Sequence, residues 1–304
     1  MKKIKLGQQL EVSAVAMGGM RLPDLDRKGL AALVQAAIDG GINFFDHADI
    51  YGGGRSESMF ADAVKDLNLN RQDIFVQTKC GIRNGFFDFS SQHIISSLEN
   101  SLQRLEMDYV DVFLLHRPDA LVEPEEVAQA FDMLYKAGKA RYFGVSNHNP
   151  GQIRLLQKYL GHKLIVNQLQ FSPAHTGMID TGLNVNMTNA PSFDHDGSVL
   201  DFCRLEDITV QAWSPFLYGY FEGTFLGSDK YPKLNEAISE LAEEKNATPE
   251  AVVVAWILRH PANMQAIPGT TKAERLAGIC KGCTIEMSRQ EWYKIYRAAG
   301  NRLP

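Results

Sequence analysis

The chain has 304 residues, 45% apolar and 22% charged, with a formal net charge of −5. That length allows one large core or two ordinary domains, and the acidic balance, without a basic block or an arginine-rich helix, argues against nucleic acid as the main partner. No run of about 18 apolar residues is present to span a membrane, and the opening Met1 to Leu10 has lysines but not the apolar stretch of a signal peptide.

Lys3 to Leu6 and Leu10 to Val12, joined by Gly7-Gln8-Gln9, read as an N-terminal hairpin. Ala14 to Met17 is a short apolar strand ending at Gly18-Gly19. Asp26 caps a helix with Leu30, Val34, Ala37 and Ile38 on one face, and Gly40-Gly41 ends it. Strand Ile42 to Phe45 follows, then helix Ser56 to Leu67 and strand Ile74 to Thr78. Helix Ser91 to Leu105 places Ile94, Leu98, Leu102 and Leu105 together, and strand Val110 to Leu115 comes next. Helix Pro124 to Ala137, strand Arg141 to Val145, helix Pro150 to Tyr159 and strand Leu164 to Leu169 continue the alternation. Helix Val199 to Leu205 leads to strand Ile208 to Ala212, and helix Leu234 to Lys245 is next. Thr248-Pro249-Glu250 starts a helix with threonine as cap and proline in the first turn. It is nearly all apolar from Ala251 to Leu258, so it is expected to be buried. Met264 to Ile267 is the last strand, and two helices close the chain.

The eight strands are short continuous apolar runs, as a parallel sheet covered on both faces requires. Eight βα units in roughly 250–300 residues suit a closed (β/α)8 barrel better than an open doubly wound sheet. No composition break marks a second domain, so residues 1–304 are read as one barrel domain. The connections His175 to Gly197 and Phe216 to Lys233 are longer than usual. Four cysteines, Cys80, Cys203, Cys280 and Cys283, are too few for a disulfide framework, so a reducing cytoplasm is the expected location. Cys280-Lys-Gly-Cys283 alone is thin for zinc and lacks a thioredoxin-like context.

Chemistry in such barrels sits at the C-terminal strand ends. The segment Asn43 to Glu57 puts Asp46 at a strand end and Tyr51 just beyond it. Lys79 follows the third strand and His116 the fourth, and the four groups can converge. A free tyrosine titrates near ~10 and is a poor acid at neutral pH. A lysine ammonium ~4 Å away, at an effective dielectric of about 20, stabilises the phenolate by at most about 4 kcal/mol, or roughly three pKa units. Asp46 is the counter-charge that keeps a buried Lys79 protonated, and it reduces that depression. His116 can orient a carbonyl oxygen. Such a group protonates a developing alkoxide but supplies no hydride. The glycines Gly52 to Gly54 read as a turn with positive φ, since they match no phosphate-binding pattern.

In order along the chain stand D46-H-A-D-I-Y51-G-G-G-R-S-E57, T78-K79, L-L-H116-R-P, G-V-S146-N147, N167-Q168, W213-S-P and I-P-G-T-T-K272-A-E-R275. With these motifs the chain resembles the aldo-keto reductases over nearly its whole length, and most of all the bacterial oxidoreductases of that superfamily. The resemblance implies a (β/α)8 barrel, NADPH bound across the strand C-termini, and reversible reduction of aldehydes or ketones. It carries the catalytic site onto Asp46, Tyr51, Lys79 and His116, with Tyr51 as the acid. It places Ser146, Asn147 and Gln168 on the nicotinamide carboxamide and Trp213 against the nicotinamide ring. Ser214, Phe216 and Leu217 fall along the pyrophosphate, and Gly269, Thr270, Thr271, Lys272 and Arg275 at the adenosine 2′-phosphate. A helix N-terminus with two cations suits a phosphate dianion. Gly269 stands where many members carry lysine, Gly278 and Ile279 occupy the turn where asparagine is frequent, and Trp213 stands where tyrosine is often found. The expected partner is a small-molecule carbonyl substrate, with no nucleic acid, membrane or metal.

Two other classes compete. A metal-dependent barrel hydrolase would use His47, Asp49, His116 and His175, but there is no clear strand-end His-x-His pair and Lys79 would sit awkwardly beside a cation. A cofactor-binding regulatory protein, like the potassium-channel β subunits of the same fold, would need none of the turnover chemistry. The constellation at the strand ends, not the fold, decides between them.

Overall fold

The computed structural model describes residues 1–303. The chain opens with the antiparallel hairpin of β1 (Lys3–Leu6) and β2 (Leu10–Ser13). Then follow β3 (Met17–Gly18), α1 (Arg27–Asp39), β4 (Phe44–Asp46), α2 (Arg55–Asp66), β5 (Phe75–Cys80) and α3 (Ser91–Leu105). Next are β6 (Val110–Leu115), α4 (Pro124–Lys136), β7 (Ala140–Ser146), α5 (Pro150–Tyr159) and β8 (Leu164–Gln170). The last third holds α6 (Gly177–Leu183), α7 (Val199–Leu205), β9 (Thr209–Trp213), a small hairpin of β10 (Leu217–Tyr218) and β11 (Gly223–Thr224), α8 (Pro232–Glu244), α9 (Pro249–Arg259), β12 (Gln265–Ile267), α10 (Ala273–Cys280) and α11 (Arg289–Ala298).

The eight strands β3 to β9 and β12 pair in parallel in that order. The first and last meet: Val15 bridges Ala266 in parallel, the Ala16 N–H donates to the Ala266 carbonyl at 2.8 Å, and the Gly18 N–H donates to the Pro268 carbonyl at 3.0 Å. This is the expected (β/α)8 barrel. Its inside is filled by Ala14, Ala16, Phe44, Val112, Leu114, Val166 and Ile267, with Leu6 and Val12 of the N-terminal hairpin joining them. A second, larger apolar layer lies between strands and helices. The hairpin closes the N-terminal face, where the Gly7 N–H donates to Thr209 Oγ1 at 3.0 Å.

Local signals hold where they were strongest. Asp26 accepts from the Gly29 N–H at 2.7 Å, and Thr248 Oγ1 accepts from the Ala251 N–H at 3.2 Å. Helix α9 is buried from Ala251 to Ile257, and Trp256 and Trp292 stack at 4.8 Å while each indole donates to the other's carbonyl. Some strand bounds move. The ladder uses Met17–Gly18 and Phe44–Asp46 where the apolar runs suggested Ala14–Met17 and Ile42–Phe45, because hydrogen-bond register rather than side-chain polarity sets the ends. Asp46 is therefore the last residue of its strand.

Both long connections carry structure. Residues 175–197 contain α6, which buries Met178 and Ile179 and is tied down by the Tyr296 hydroxyl donating to Asp180 Oδ1 at 2.7 Å. Residues 216–233 contain the β10–β11 hairpin. Among the described residues no helix is long and apolar enough to cross a membrane.

Candidate active site

The turn after β4 positions the site. Gly52, Gly53 and Gly54 all take positive φ, at 59°, 66° and 92°, so the chain reverses within three residues and swings the Tyr51 ring back over the barrel. A Cβ on Gly52 would stand 2.4 Å from Pro23 Cγ, which leaves glycine as the residue that fits. Behind the turn, Glu57 is fully buried and accepts from Thr78 Oγ1 at 2.6 Å and Arg104 Nε at 2.7 Å.

The four expected groups meet. Lys79, fully buried at the end of β5, donates to Asp46 Oδ2 at 2.9 Å, to the His47 carbonyl at 2.7 Å and to the Tyr51 hydroxyl at 3.2 Å. His116 stands edge-on to Tyr51, with ring centroids 5.9 Å apart. Tyr51, Asp46 and His116 line one cavity of about 540 Å³, and Lys79 lies behind them.

Electrostatics refine the expectation. Burial pulls Lys79 down, and Asp46 and Tyr51 more than reverse it, so the ammonium ends above the ordinary lysine value. Burial also dominates at Tyr51. It raises the phenol above its ordinary value despite Lys79 and Arg117, with Asp46 adding to the rise. The net depression of Tyr51 expected from Lys79, already reduced by Asp46, is thus reversed, because desolvation of the phenolate outweighs the nearby cations. His116 is driven well below the ordinary histidine value by burial and then by Lys79 and Arg117, so its ring is neutral.

Asp46 has further support that the apolar strand pattern hid. Gln77 Nε2 donates to Asp46 Oδ1 at 2.5 Å and Gln168 Nε2 to the same oxygen at 3.0 Å. Gln77 also donates to Gln211 Oε1 at 2.9 Å, and Gln211 to Gln265 Oε1 at 2.8 Å. A buried glutamine layer therefore underlies the site. Its signal was present as Gln77, Gln211 and Gln265, single amides inside apolar strands.

Most residues expected to touch a cofactor border the same cavity: Ser146, Asn147, Gln168, Trp213, Ser214, Phe216, Leu217, Gly269, Thr270 and Arg275. Thr271 and Lys272 do not; Lys272 is exposed at the start of α10. Ser146 Oγ donates to the Gln168 carbonyl at 3.0 Å and accepts from Asn147 Nδ2 at 2.7 Å, while Trp213 Nε1 donates to Asn147 Oδ1 at 3.3 Å. One face of the Trp213 ring packs against Phe221, with centroids 5.6 Å apart. Arg275 is not a free cation: its Nε lies 3.2 Å from Glu250 Oε1, a residue sequence reasoning assigned only to a helix start. Helix α10 has no side-chain cap, and a Cβ on Gly269 would meet nothing within 4 Å, so the backbone there faces open space. An uncapped helix start and open backbone fit a phosphate dianion, with Lys272 outside the cavity wall and Arg275 shared with Glu250.

The residues of the metal-site alternative do not assemble. His47 turns its Nδ1 toward Ser56 Oγ at 3.3 Å, and burial followed by the Lys79 charge drops it to about 3. Among the described residues no three His, Cys, Asp or Glu side chains are grouped to hold a metal ion.

Residues 14–299 match the model of the aldo/keto reductase family. The chain belongs to the aldo/keto reductase family. It is 35% identical, over 98% of both chains, to the uncharacterized oxidoreductase YcsN of Bacillus subtilis (strain 168). It is 33% identical to the 6-dehydroglucose reductase of Agrobacterium fabrum, again over 98% of both chains. Among solved structures, a thermostable aldo-keto reductase, Tm1743, in complex with the inhibitor epalrestat superposes with a TM-score of 0.79 at 26% identity, covering 98% of this chain and all of the other.

Proposed function

We propose that this protein reduces the carbonyl group of aldehydes or ketones to alcohols with NADPH, and that Tyr51 is the proton donor. The observation that carries the reading is the Asp46–Lys79–Tyr51 chain of contacts, 2.9 Å and 3.2 Å, ending at a cavity that His116 also lines. The family membership and the relative named as a 6-dehydroglucose reductase support carbonyl reduction.

The cofactor, when bound, supplies the hydride. The raised Tyr51 keeps its proton at neutral pH, so the acid is loaded before the carbonyl arrives. As negative charge grows on the carbonyl oxygen, that oxygen becomes far more basic than a phenolate and takes the proton. Lys79 then holds the phenolate at hydrogen-bond distance, and Asp46 holds Lys79 in its charged form. Neutral His116 orients the carbonyl oxygen without adding a like charge beside Lys79. Ser146, Asn147 and Gln168 would hold the carboxamide, Gln168 through the amide oxygen left free by its bond to Asp46. Trp213 would flank the nicotinamide ring, with Ser214, Phe216 and Leu217 along the pyrophosphate. Gly269, Thr270, Thr271, Lys272 and Arg275 would surround the 2′-phosphate, Thr271 and Lys272 from outside the cavity wall. The convergence of the groups that turnover needs supports the reductase over the cofactor-binding regulatory reading.

The test is NADPH oxidation followed by absorbance against small aldehydes, quinones, ketones and keto-sugars. Turnover of at least one class is expected. Tight NADPH binding with no turnover across the panel would remove the reductase assignment.

A further inference from the structure

Three arginines among the described residues are half-buried: Arg71, Arg104 and Arg117. Two have an evident reason to be there. Arg71 Nη2 donates to Asp111 Oδ2 at 2.7 Å, and Arg104 Nε donates to Glu57 Oε2 at 2.7 Å, each clasping a carboxylate that is itself buried. Among the described residues the Arg117 guanidinium has neither an ion pair nor a hydrogen bond. It is held over two aromatic faces, 5.8 Å from the Trp213 ring centroid and 5.5 Å from that of Tyr220. All three residues line the cavity that Tyr51 and His116 line.

No acid nearby is left to neutralise it. The two carboxylates bordering the cavity are engaged elsewhere, Asp46 with Lys79 and Glu250 with Arg275. Asp119, two residues along, accepts from the Phe89 and Leu121 N–H groups. Its nitrogens keep some contact with solvent, and the aromatic rings hold the charged group at the cavity wall without using its N–H donors. Five N–H donors in a planar fork, aimed into a cavity and unused, match the two oxygens of a carboxylate. Met20, Ile50, Ile82 and Phe221 make much of the rest of that wall apolar or aromatic, and the exposed Arg21 also borders the cavity.

We infer that Arg117 is a substrate anchor, and that the preferred substrates are aldehydes or ketones carrying a carboxylate on a flat or apolar skeleton. The inference rests on the reductase reading for the chemistry, but the anion site itself does not need turnover. Arg117 directly follows His116, so an anchored carboxylate would fix the distance of the carbonyl from Tyr51 through the length of the substrate's own skeleton.

The experiment compares 4-formylbenzoate and 3-formylbenzoate with the matching formylbenzamides, which have nearly the same shape and no charge. The wild type is expected to favour the acids by about tenfold or more in kcat/KM, the usual worth of a charge-assisted pair. Arg117→Gln should bring that ratio near one, mainly through KM for the acids, and Arg117→Lys should keep part of it. A wild type without preference, or an Arg117→Gln variant that weakens acids and amides in parallel, overturns the anchor. Calorimetry of terephthalate binding to the NADP+-loaded protein provides an arm without chemistry. Binding lost in Arg117→Gln supports the anion site even if no aldehyde is reduced, in which case only the reductase reading falls. Equal binding in both proteins removes the anion site even if aldehydes turn over.

Discussion

Replacing Asp46 by asparagine tests the electrostatic core of the site without changing its shape. The two Asp46 oxygens accept three N–H donors: Gln77 and Gln168 on Oδ1 and Lys79 on Oδ2. Asparagine must turn its NH2 toward one side. Facing Lys79, it sets a donor against a fully buried ammonium; facing the glutamines, it sets a donor against two donors. Either way a buried cation loses its counter-charge, a change that typically costs about 3–5 kcal/mol. For 304 residues the unfolding entropy is about 0.6 kcal/mol/K, so each kcal/mol moves Tm by about 1.6 °C and the variant should melt about 5–8 °C lower near neutral pH. The pH dependence has a definite sign. In the wild type the Lys79 pKa is raised above its unfolded value, so its contribution is complete below the unfolded pKa and is lost as pH rises through the folded one. In the variant the largest remaining influence is burial, which places the folded pKa below the unfolded one. Between those two values the variant gains stability as pH rises. The Tm gap to wild type should therefore narrow from about pH 7 to pH 10. Calorimetric melts across that range read it directly. A gap under about 1 °C at neutral pH, or one that widens with pH, refutes the claim that Asp46 neutralises a buried, charged Lys79.

Three further outcomes follow from neighbouring features. Asp49 is pushed up to about 7, first by burial and then by Glu57, so the folded state holds a proton that the unfolded state releases, and stability falls as pH rises from about 4 through 7. Asp49→Asn should recover about 4 kcal/mol at pH 8 and little at pH 4 in urea titrations; no difference between the two pH values contradicts the buried-acid account. Gly52→Ala places a methyl 2.4 Å from Pro23 Cγ at a φ of 59° and should lower kcat more than tenfold by moving Tyr51, with NADPH affinity changed less; unchanged kcat would mean the turn is not what positions the phenol. If the 2′-phosphate sits at Arg275 as proposed, Arg275→Ala should weaken NADPH about tenfold or more with NADH little affected in fluorescence titrations; equal loss for both cofactors contradicts that placement.

The architecture was legible because it is written in run length and punctuation. Short apolar runs alternate with helices whose starts carry Asp26, Thr248-Pro249 and similar signals, and parallel pairing follows from burial on both faces. The convergence of Asp46, Tyr51, Lys79 and His116 was legible for a related reason: in a barrel, strand ends share one face whatever their separation in sequence. What stayed hidden depends on distances across the barrel. The glutamines Gln77, Gln211 and Gln265 sit inside strands that read as apolar, and their mutual bonds join residues more than fifty positions apart. The pairing of Arg275 with Glu250 brings together two helix starts that sequence treats separately. The direction of the Tyr51 shift depended on burial against two charges, and only coordinates supply the burial. Helix α6 escaped notice because its anchor, Tyr296, lies in the last helix of the chain.

The central claim is that Tyr51 gives the proton and does little else. Tyr51→Phe removes one oxygen atom from a half-buried ring and leaves the Asp46–Lys79 pair in place. The measurement is kcat for a reduced aldehyde beside the NADPH Kd in that one variant. The account predicts a kcat lower by about 100-fold or more, the usual worth of a positioned acid, with the Kd within about threefold of wild type. A variant that turns over at the wild-type rate would contradict it.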